Sequence, residues 1–267
     1  MVKIRTILDK LIMNDKYEII DKSMSCSNIG ARRGRNIRDH LFILNGVLNE
    51  ALQNKSKNID IQIMDIEKCF DKMSYRETAN DIWLAGVQDD KFLLMAKLNE
   101  KCQVAVKTPW GSVTDRVEMK EIEMQGTVPA PLKCSVQLDS LGKECLATGE
   151  GLYAYKDCVN IPPLLMIDDA ISVSDCGRDT VTVNAIIQSK VDLKNLRLGH
   201  SKCFKMHVGK NTNCCPDLKI QDKMMLTSNR DKYLGDIIST DCKINENILE
   251  RYNKGIGICN KIIGILK

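Results

Sequence analysis

Residues 58–65 read NIDIQIMD, and residues 164–174 read LLMIDDAISVS. In the first stretch Ile59, Ile61 and Ile63 fall on alternate positions, which predicts a strand with an apolar face, ending at Asp65. The second stretch divides into two short apolar strands, Leu164 to Ile167 and Ala170 to Ser174, with Asp168-Asp169 in the turn between them. Adjacent carboxylates repel one another, and at a buried hairpin the pair is costly unless a cation neutralises it. If the two stretches are neighbouring strands, Asp65, Asp168 and Asp169 converge at one sheet end. Three such carboxylates suit a pair of Mg²⁺ ions, or Mn²⁺ in their place, held about 3.5–4 Å apart. Taken alone, an Asp-Asp pair is also an ordinary polar β-turn.

Working outward, residues 1–25 read as a polar helix and Ser27 to Asp39 as a loop rich in Gly, Asn and Arg. His40 to Leu52 is amphipathic at helical spacing, with Leu41, Leu44, Val47, Leu48 and Leu52 on one stripe. Helices are also predicted over Ser74 to Leu84, where Ser74 and Glu77 form a capping box, and over Asp90 to Leu98. Gln103 to Lys107 and Val117 to Ile122 flank Pro109-Trp110-Gly111-Ser112 as a hairpin. Pro129 to Leu146, Arg178 to Leu193 and Asn245 to Leu266 read as helices. Leu152 to Tyr155, Cys203 to Val208 and Lys232 to Ser239 read as single strands. Helices mixed with antiparallel hairpins around one sheet give the class α+β, with no internal repeat.

Composition narrows the function. At 267 residues with 43% apolar content the chain can bury a sizeable core. Its start carries no signal-peptide pattern, and runs such as Pro162 to Ile167 are too short for a bilayer. The expectation is a soluble intracellular protein with no membrane partner. Twelve cysteines contain no CxxC pair, and most read as reduced, small apolar residues. Residues 1–60 hold 11 Lys/Arg against 7 Asp/Glu (+4), residues 61–189 hold 13 against 20 (−7), and residues 190–267 hold 15 against 8 (+7). An acidic middle between basic ends fits a cation-binding centre flanked by surfaces that grip a polyanion; chance segregation of surface charge is the plainer alternative. With aromatic residues at 4%, base stacking is not the main grip, and Trp83 and Trp110 read as packing and hairpin-tip residues.

Five segments in order resemble the reverse transcriptases of non-LTR (LINE-type) retrotransposons. They are DIEKCFD at 65–71, QGTVPAPL at 125–132, LMIDD at 165–169, LGHSKC at 198–203 and YLGD at 233–236, preceded by SNIGARRGRNIRDHLF at 27–42. The resemblance implies a right-hand polymerase fold with a ferredoxin-like palm sheet. It divides the chain into a fingers segment (1–58), a palm (59–240, with inserted fingers elements near 90–123) and the start of a helical thumb (241–267). It also implies RNA-directed DNA polymerase activity on an RNA template, a DNA primer and dNTPs. One Mg²⁺ would activate the primer 3′-hydroxyl and the other would steady the departing pyrophosphate.

By the same resemblance, Asp65, Asp168 and Asp169 are catalytic and, with the backbone of Ile66, bind the metals. Phe70 excludes a 2′-hydroxyl, and Gln125 and Gly126 shape the nucleotide pocket. Arg32, Arg33, Arg35 and Lys202 contact the triphosphate, Lys202 as a general acid. Tyr233, Leu234 and Gly235 form the primer-grip hairpin. Each also has a plainer reading, as a core Phe, an ordinary pre-helix loop, solvated basic residues and an exposed Lys. Met166 departs from the pattern, standing where the family carries Tyr or Phe. The expectation is an element fragment lacking an endonuclease domain, with nuclear access if the element is active. The alternatives are a weak or inactive remnant that only binds nucleic acid, and a template-free palm enzyme such as a nucleotide cyclase. His200, Cys203, His207, Cys214 and Cys215 lie within sixteen residues, but their spacing matches no standard zinc pattern, and buried thiols are the preferred reading.

Overall fold

The computed structural model describes residues 2–54, 57–99, 103–118, 129–211, 215–241 and 245–266. In chain order these form α1 (Val2–Ser23), α2 (Ile37–Gln53), β1 (Ile59–Asp65), α3 (Cys69–Lys72), α4 (Tyr75–Leu84), α5 (Asp90–Asn99), β2 (Gln103–Val104), β3 (Val117–Glu118) and α6 (Ala130–Thr148). There follow β4 (Tyr153–Tyr155), β5 (Val159–Ile161), β6 (Leu164–Met166), β7 (Asp169–Asp175), α7 (Arg178–Leu193) and a 3₁₀ turn at His200–Lys202. The chain continues through β8 (Phe204–Val208), β9 (Lys219–Ile220), β10 (Lys223–Met224), β11 (Leu226–Thr227), β12 (Arg230–Tyr233), β13 (Asp236–Ser239) and α8 (Asn245–Leu266). The class is α+β, built on one mixed five-stranded sheet of order β11-β8-β1-β7-β6. Only β11 runs parallel to its neighbour; the other pairings are antiparallel.

The alternation in NIDIQIMD sorts two cores. Ile59, Ile61 and Ile63 pack with Ile171, Val173, Met206 and Val208 beneath α2, which contributes Leu44, Val47, Leu48 and Ala51. Met64 faces the opposite side, toward Cys134, Leu138 and Leu141 of α6 and Val183 and Ile187 of α7. Each such aliphatic burial contributes about 1.5–3 kcal/mol before entropy is counted. The polar members of the strand are not solvent-facing: Asp60 and Gln62 are buried as well. Each makes a buried hydrogen bond to Thr180, although Gln62 Oε1 finds no partner among the described residues. Thr180 Oγ1 donates to Asp60 Oδ2 (2.7 Å), and Gln62 Nε2 donates to the Thr180 carbonyl (3.1 Å). A third cluster joins α1, α4, α5 and the start of α6 through Ile12, Ile20, Ile82, Met95 and Leu132.

Several boundaries differ from the sequence reading, each for a local reason. Helix α2 begins at Ile37, not His40, because Asn36 and Asp39 form a capping box inside the expected loop. Lys232 to Ser239 is a hairpin, not one strand: Leu234 (φ 50°) and Gly235 (φ 87°) make a two-residue turn between β12 and β13. Strand β5 was not anticipated, and its pairing with β4 makes a second hairpin. Helix α6 runs to Thr148, where Gly149 (φ 64°) closes it. The 103–118 hairpin is present, and residues 119–128, including Gln125 and Gly126, lie outside the described residues. Among the described residues no helix is long and apolar enough to cross a membrane.

The sheet is extended past β6 by the loop that precedes α2. Asn28 bridges in parallel to Leu165; Ile29 N donates to the Leu165 carbonyl and Leu165 N to the Ser27 carbonyl, both at 3.0 Å. Asn28 is fully buried, and its amide donates to the Ser135 carbonyl and to Asp139.

Candidate active site

The pairing of β1 with β7 brings the carboxylates together. Asp65 and Asp169 are direct register partners at the end of the ladder, and Ile66 N donates to the Asp168 carbonyl at 3.0 Å. Ile167 and Asp168 are the two turn residues between β6 and β7, because Met166 pairs with Asp169. Ile167 takes φ 57°, a left-handed conformation that a β-branched residue adopts at a cost of about 1–3 kcal/mol. From the other side, Gly199 N donates to the Asp65 carbonyl (2.8 Å). Lys202, on the 3₁₀ turn, places Nζ 3.0 Å and 3.3 Å from the two Asp65 oxygens.

The electrostatics are those of a carboxylate cluster short of positive charge. Burial, then Asp168, then Asp65 raise the Asp169 carboxyl to about 6, with Lys202 opposing. Asp65 in turn raises the Lys202 ammonium above its ordinary value. Three oxygen donors at one sheet end, one of them pushed toward the neutral form by burial and by its neighbours, are a donor set that fits hard divalent cations. The linkage has a definite sign. Asp169 binds its proton more tightly folded than unfolded, so its contribution to stability is present below pH 4 and is lost as pH rises from about 4 to 6. In chelator, Asp169→Asn is therefore expected to stabilise the chain at pH 7 by about 1–2 kcal/mol relative to its effect at pH 4.5. Urea melts of parent and variant at both pH values check this, and equal differences at the two would refute it.

The remaining expected site residues divide. Phe70 is half-buried on α3 and packs on the same core cluster as Ile167, the turn residue beside Asp168. Arg32 does not project as a free fork. Its Nε donates to Asp21 (2.6 Å), and its other nitrogens donate to the carbonyls of Ser25, Asn28 and Asp21. In this arrangement it braces the loop, with its guanidinium engaged by Asp21 and three carbonyls. Arg33 lies over the Tyr17 ring (4.4 Å) and bonds Asn14, while Arg35 is exposed. Leu234 and Gly235 sit at a hairpin tip, but Tyr233 is buried beneath it, its hydroxyl 3.0 Å from His40 Nδ1. Burial lowers His40 to about 4, and its Nε2 meets the Ser27 carbonyl at 2.9 Å. Tyr233 and His40 thus tie the β12–β13 hairpin to the loop beside β6.

Two features were not legible beforehand. Gly30 packs directly on the Ile167 backbone, and Asp139 anchors the loop by accepting from Ser25 N at 2.9 Å. The glycine was visible in SNIGARRG, but nothing local showed what it touches. The imagined His/Cys cluster is not assembled as one group. His200 Nε2 meets the Met224 carbonyl (2.7 Å), and Cys203 Sγ accepts from Asp65 N (3.4 Å). His207 instead pairs with Asp60, and Cys214 lies outside the described residues. Trp83 packs edge-on against Phe92, whereas Trp110 stands exposed at its hairpin tip.

No protein-family model matches the chain, and no curated protein matches its sequence. Solved structures do. Apo telomerase from Candida tropicalis, truncated from its C-terminal domain, superposes with a TM-score of 0.56 at 13% identity, over 90% of this chain and 44% of that one. The apo telomerase of the same organism gives 0.58 at 12% identity, over 90% and 39%. Telomerase from Candida albicans, in complex with a fragment of telomeric RNA, gives 0.52 at 13% identity, over 89% and 36%. This chain spans less than half the length of the telomerase chains it matches. Identity this low speaks to the backbone alone, and over nine-tenths of its length the chain has the fold of part of these telomerases.

Proposed function

We propose that the chain is the reverse transcriptase domain of a non-LTR retrotransposon, an RNA-directed DNA polymerase. One observation carries the reading: Asp65, Asp168 and Asp169 meet at the shared end of β1 and β7 with Lys202 beside them. The telomerase-like fold and the RNA bound to the Candida telomerases support it. In this reading residues 59–240 are the palm, with inserted fingers elements near 90–123; residues 1–58 belong to the fingers and 241–267 begin the thumb. Asp65, Asp168, Asp169 and the Ile66 backbone hold two Mg²⁺, which when bound polarise the primer 3′-hydroxyl and neutralise pyrophosphate. Lys202 balances the cluster's charge and stands ready to give a proton to the leaving group. Arg33 and Arg35 line the approach for the triphosphate, and Leu234 and Gly235 present backbone to the primer. Gln125 and Gly126 shape the nucleotide pocket.

Phe70 closes that pocket beneath the sugar. Phe70→Ala is expected to lower the preference for dGTP over GTP by about ten- to a hundredfold, or 1.4–2.8 kcal/mol. An unchanged incorporation ratio with dNTP use intact would leave Phe70 a core residue only.

Met166 favours a second reading, a remnant that binds nucleic acid with little or no turnover, because it pairs with Asp169 where the family carries an aromatic ring. Extension of oligo-dT on poly-rA with dTTP and Mg²⁺, beside a hybrid-binding titration, separates the two. Template-dependent extension supports the polymerase. Binding without extension supports the remnant, and neither would overturn both.

A further inference from the structure

We propose that Asp60, His207 and Cys215 form a zinc site on the α7 side of the sheet, separate from the carboxylate cluster. Asp60 and His207 are cross-strand partners of β1 and β8, and Asp60 Oδ1 lies 2.8 Å from His207 Nδ1. Cys215 enters from the segment after β8, and one donor atom from each of the three residues falls within 4.8 Å of the other two. Ligand atoms around a tetrahedral zinc stand roughly 3–4 Å apart, given bonds of about 2.0–2.3 Å, so a small closure brings these three onto one ion, with water as the fourth ligand. Thiolate, imidazole and carboxylate together favour Zn²⁺ over Mg²⁺ or Ca²⁺.

The surroundings are those of a built site. Asp60 is 1% exposed and the His207 side chain 10%. His207 Nε2 is buried and has no hydrogen-bond partner among the described residues, so one ring nitrogen is uncommitted while Nδ1 meets Asp60. Thr180 Oγ1 fixes the second carboxylate oxygen of Asp60, the outer hydrogen bond that orients a metal-binding carboxylate. Charge balances: a carboxylate and a thiolate neutralise Zn²⁺, the imidazole stays neutral, and the Cys215 proton is released to solvent on binding. The rival neutraliser is the buried Lys205 ammonium, which donates to the Pro216 carbonyl, lies 3.9 Å from Asp217 Oδ1 and also meets the Cys215 thiol, so zinc would have to displace it from the sulfur. Bound zinc would fasten the segment after β8 to the strand that ends in Asp65, a structural role rather than a catalytic one.

The test uses the full chain. Purified without chelator, it is expected to retain about one zinc ion per chain. After chelator stripping, Co²⁺ titration is expected to produce thiolate-to-cobalt charge-transfer absorption, which the all-oxygen cluster at Asp65 cannot give. Cys215→Ser should abolish that absorption. Thr180→Val should weaken cobalt binding by about 10–100-fold, and Cys26→Ser, at an exposed cysteine, should leave it unchanged. Absence of the thiolate band in the stripped parent would overturn the site without recourse to any variant and would leave Lys205 as the counter-charge. A band that survives in folded Cys215→Ser would overturn the ligand assignment equally.

Discussion

Asp168→Asn is expected to reduce nucleotide incorporation on an RNA template by about a thousandfold, or 4 kcal/mol of transition-state stabilisation, while hybrid affinity stays within a fewfold of the parent. The change removes one negative oxygen from a half-exposed turn and keeps the side-chain shape. The backbone carbonyl that accepts from Ile66 N is untouched, so the ladder between β1 and β7 survives. What is lost is one of the three oxygen donors proposed to hold the divalent cations. Incorporation within tenfold of the parent, in a variant that melts normally, would remove Asp168 from the metal-binding set. Asp169→Asn gives the internal comparison. It should lose activity as well, yet gain stability at neutral pH without metal, because burial and the two neighbouring carboxylates hold its acid near 6. A residue that lowers stability and yet supports turnover is what a charge-crowded site requires.

How much of this was legible in the sequence differs between the sheet and what covers it. The alternation of Ile59, Ile61 and Ile63 located β1, and the apolar runs around Asp168-Asp169 located β6 and β7, but the burial of both faces of β1, Asp60 and Gln62 included, left no trace in that alternation. Convergence of the carboxylates followed once β1 and β7 were neighbours. The sequence was silent where a role depends on distant partners. Arg32 looks like any loop arginine until Asp21 and three carbonyls are seen to hold it. Tyr233 lies in a motif that the resemblance assigns to the primer, but its ring is buried against His40, 193 residues away in the chain. Cys215 and His207 sit close in sequence, yet their common partner is Asp60, on a strand 147 residues before His207. Such contacts leave no local period, so spacing alone could not reveal them.

Gly30→Ala is expected to act at the carboxylate turn from outside it, lowering incorporation by about ten- to a hundredfold and stability by about 1–3 kcal/mol. A Cβ at residue 30 would stand 2.2 Å from Ser135 Oγ and 2.7 Å from the backbone nitrogen of Ile167. The hydroxyl can rotate away. The Ile167 nitrogen cannot, because its residue already holds φ 57° between two paired strands. Relief must therefore come from moving either the loop at Asn28, locked by its buried amide, or the turn that carries Asp168. The turn is the softer of the two, since its strain is already stored there. Gly34→Ala separates this from a general intolerance of the loop. That position has φ 72° but nothing within 4 Å, so it should cost stability alone and leave turnover per folded molecule unchanged. Adding Ser135→Gly to Gly30→Ala clears the hydroxyl and not the backbone contact, so it should fail to restore activity. Full recovery in that double variant would show that the Ser135 clash, and not pressure on the Ile167 turn, accounts for the defect.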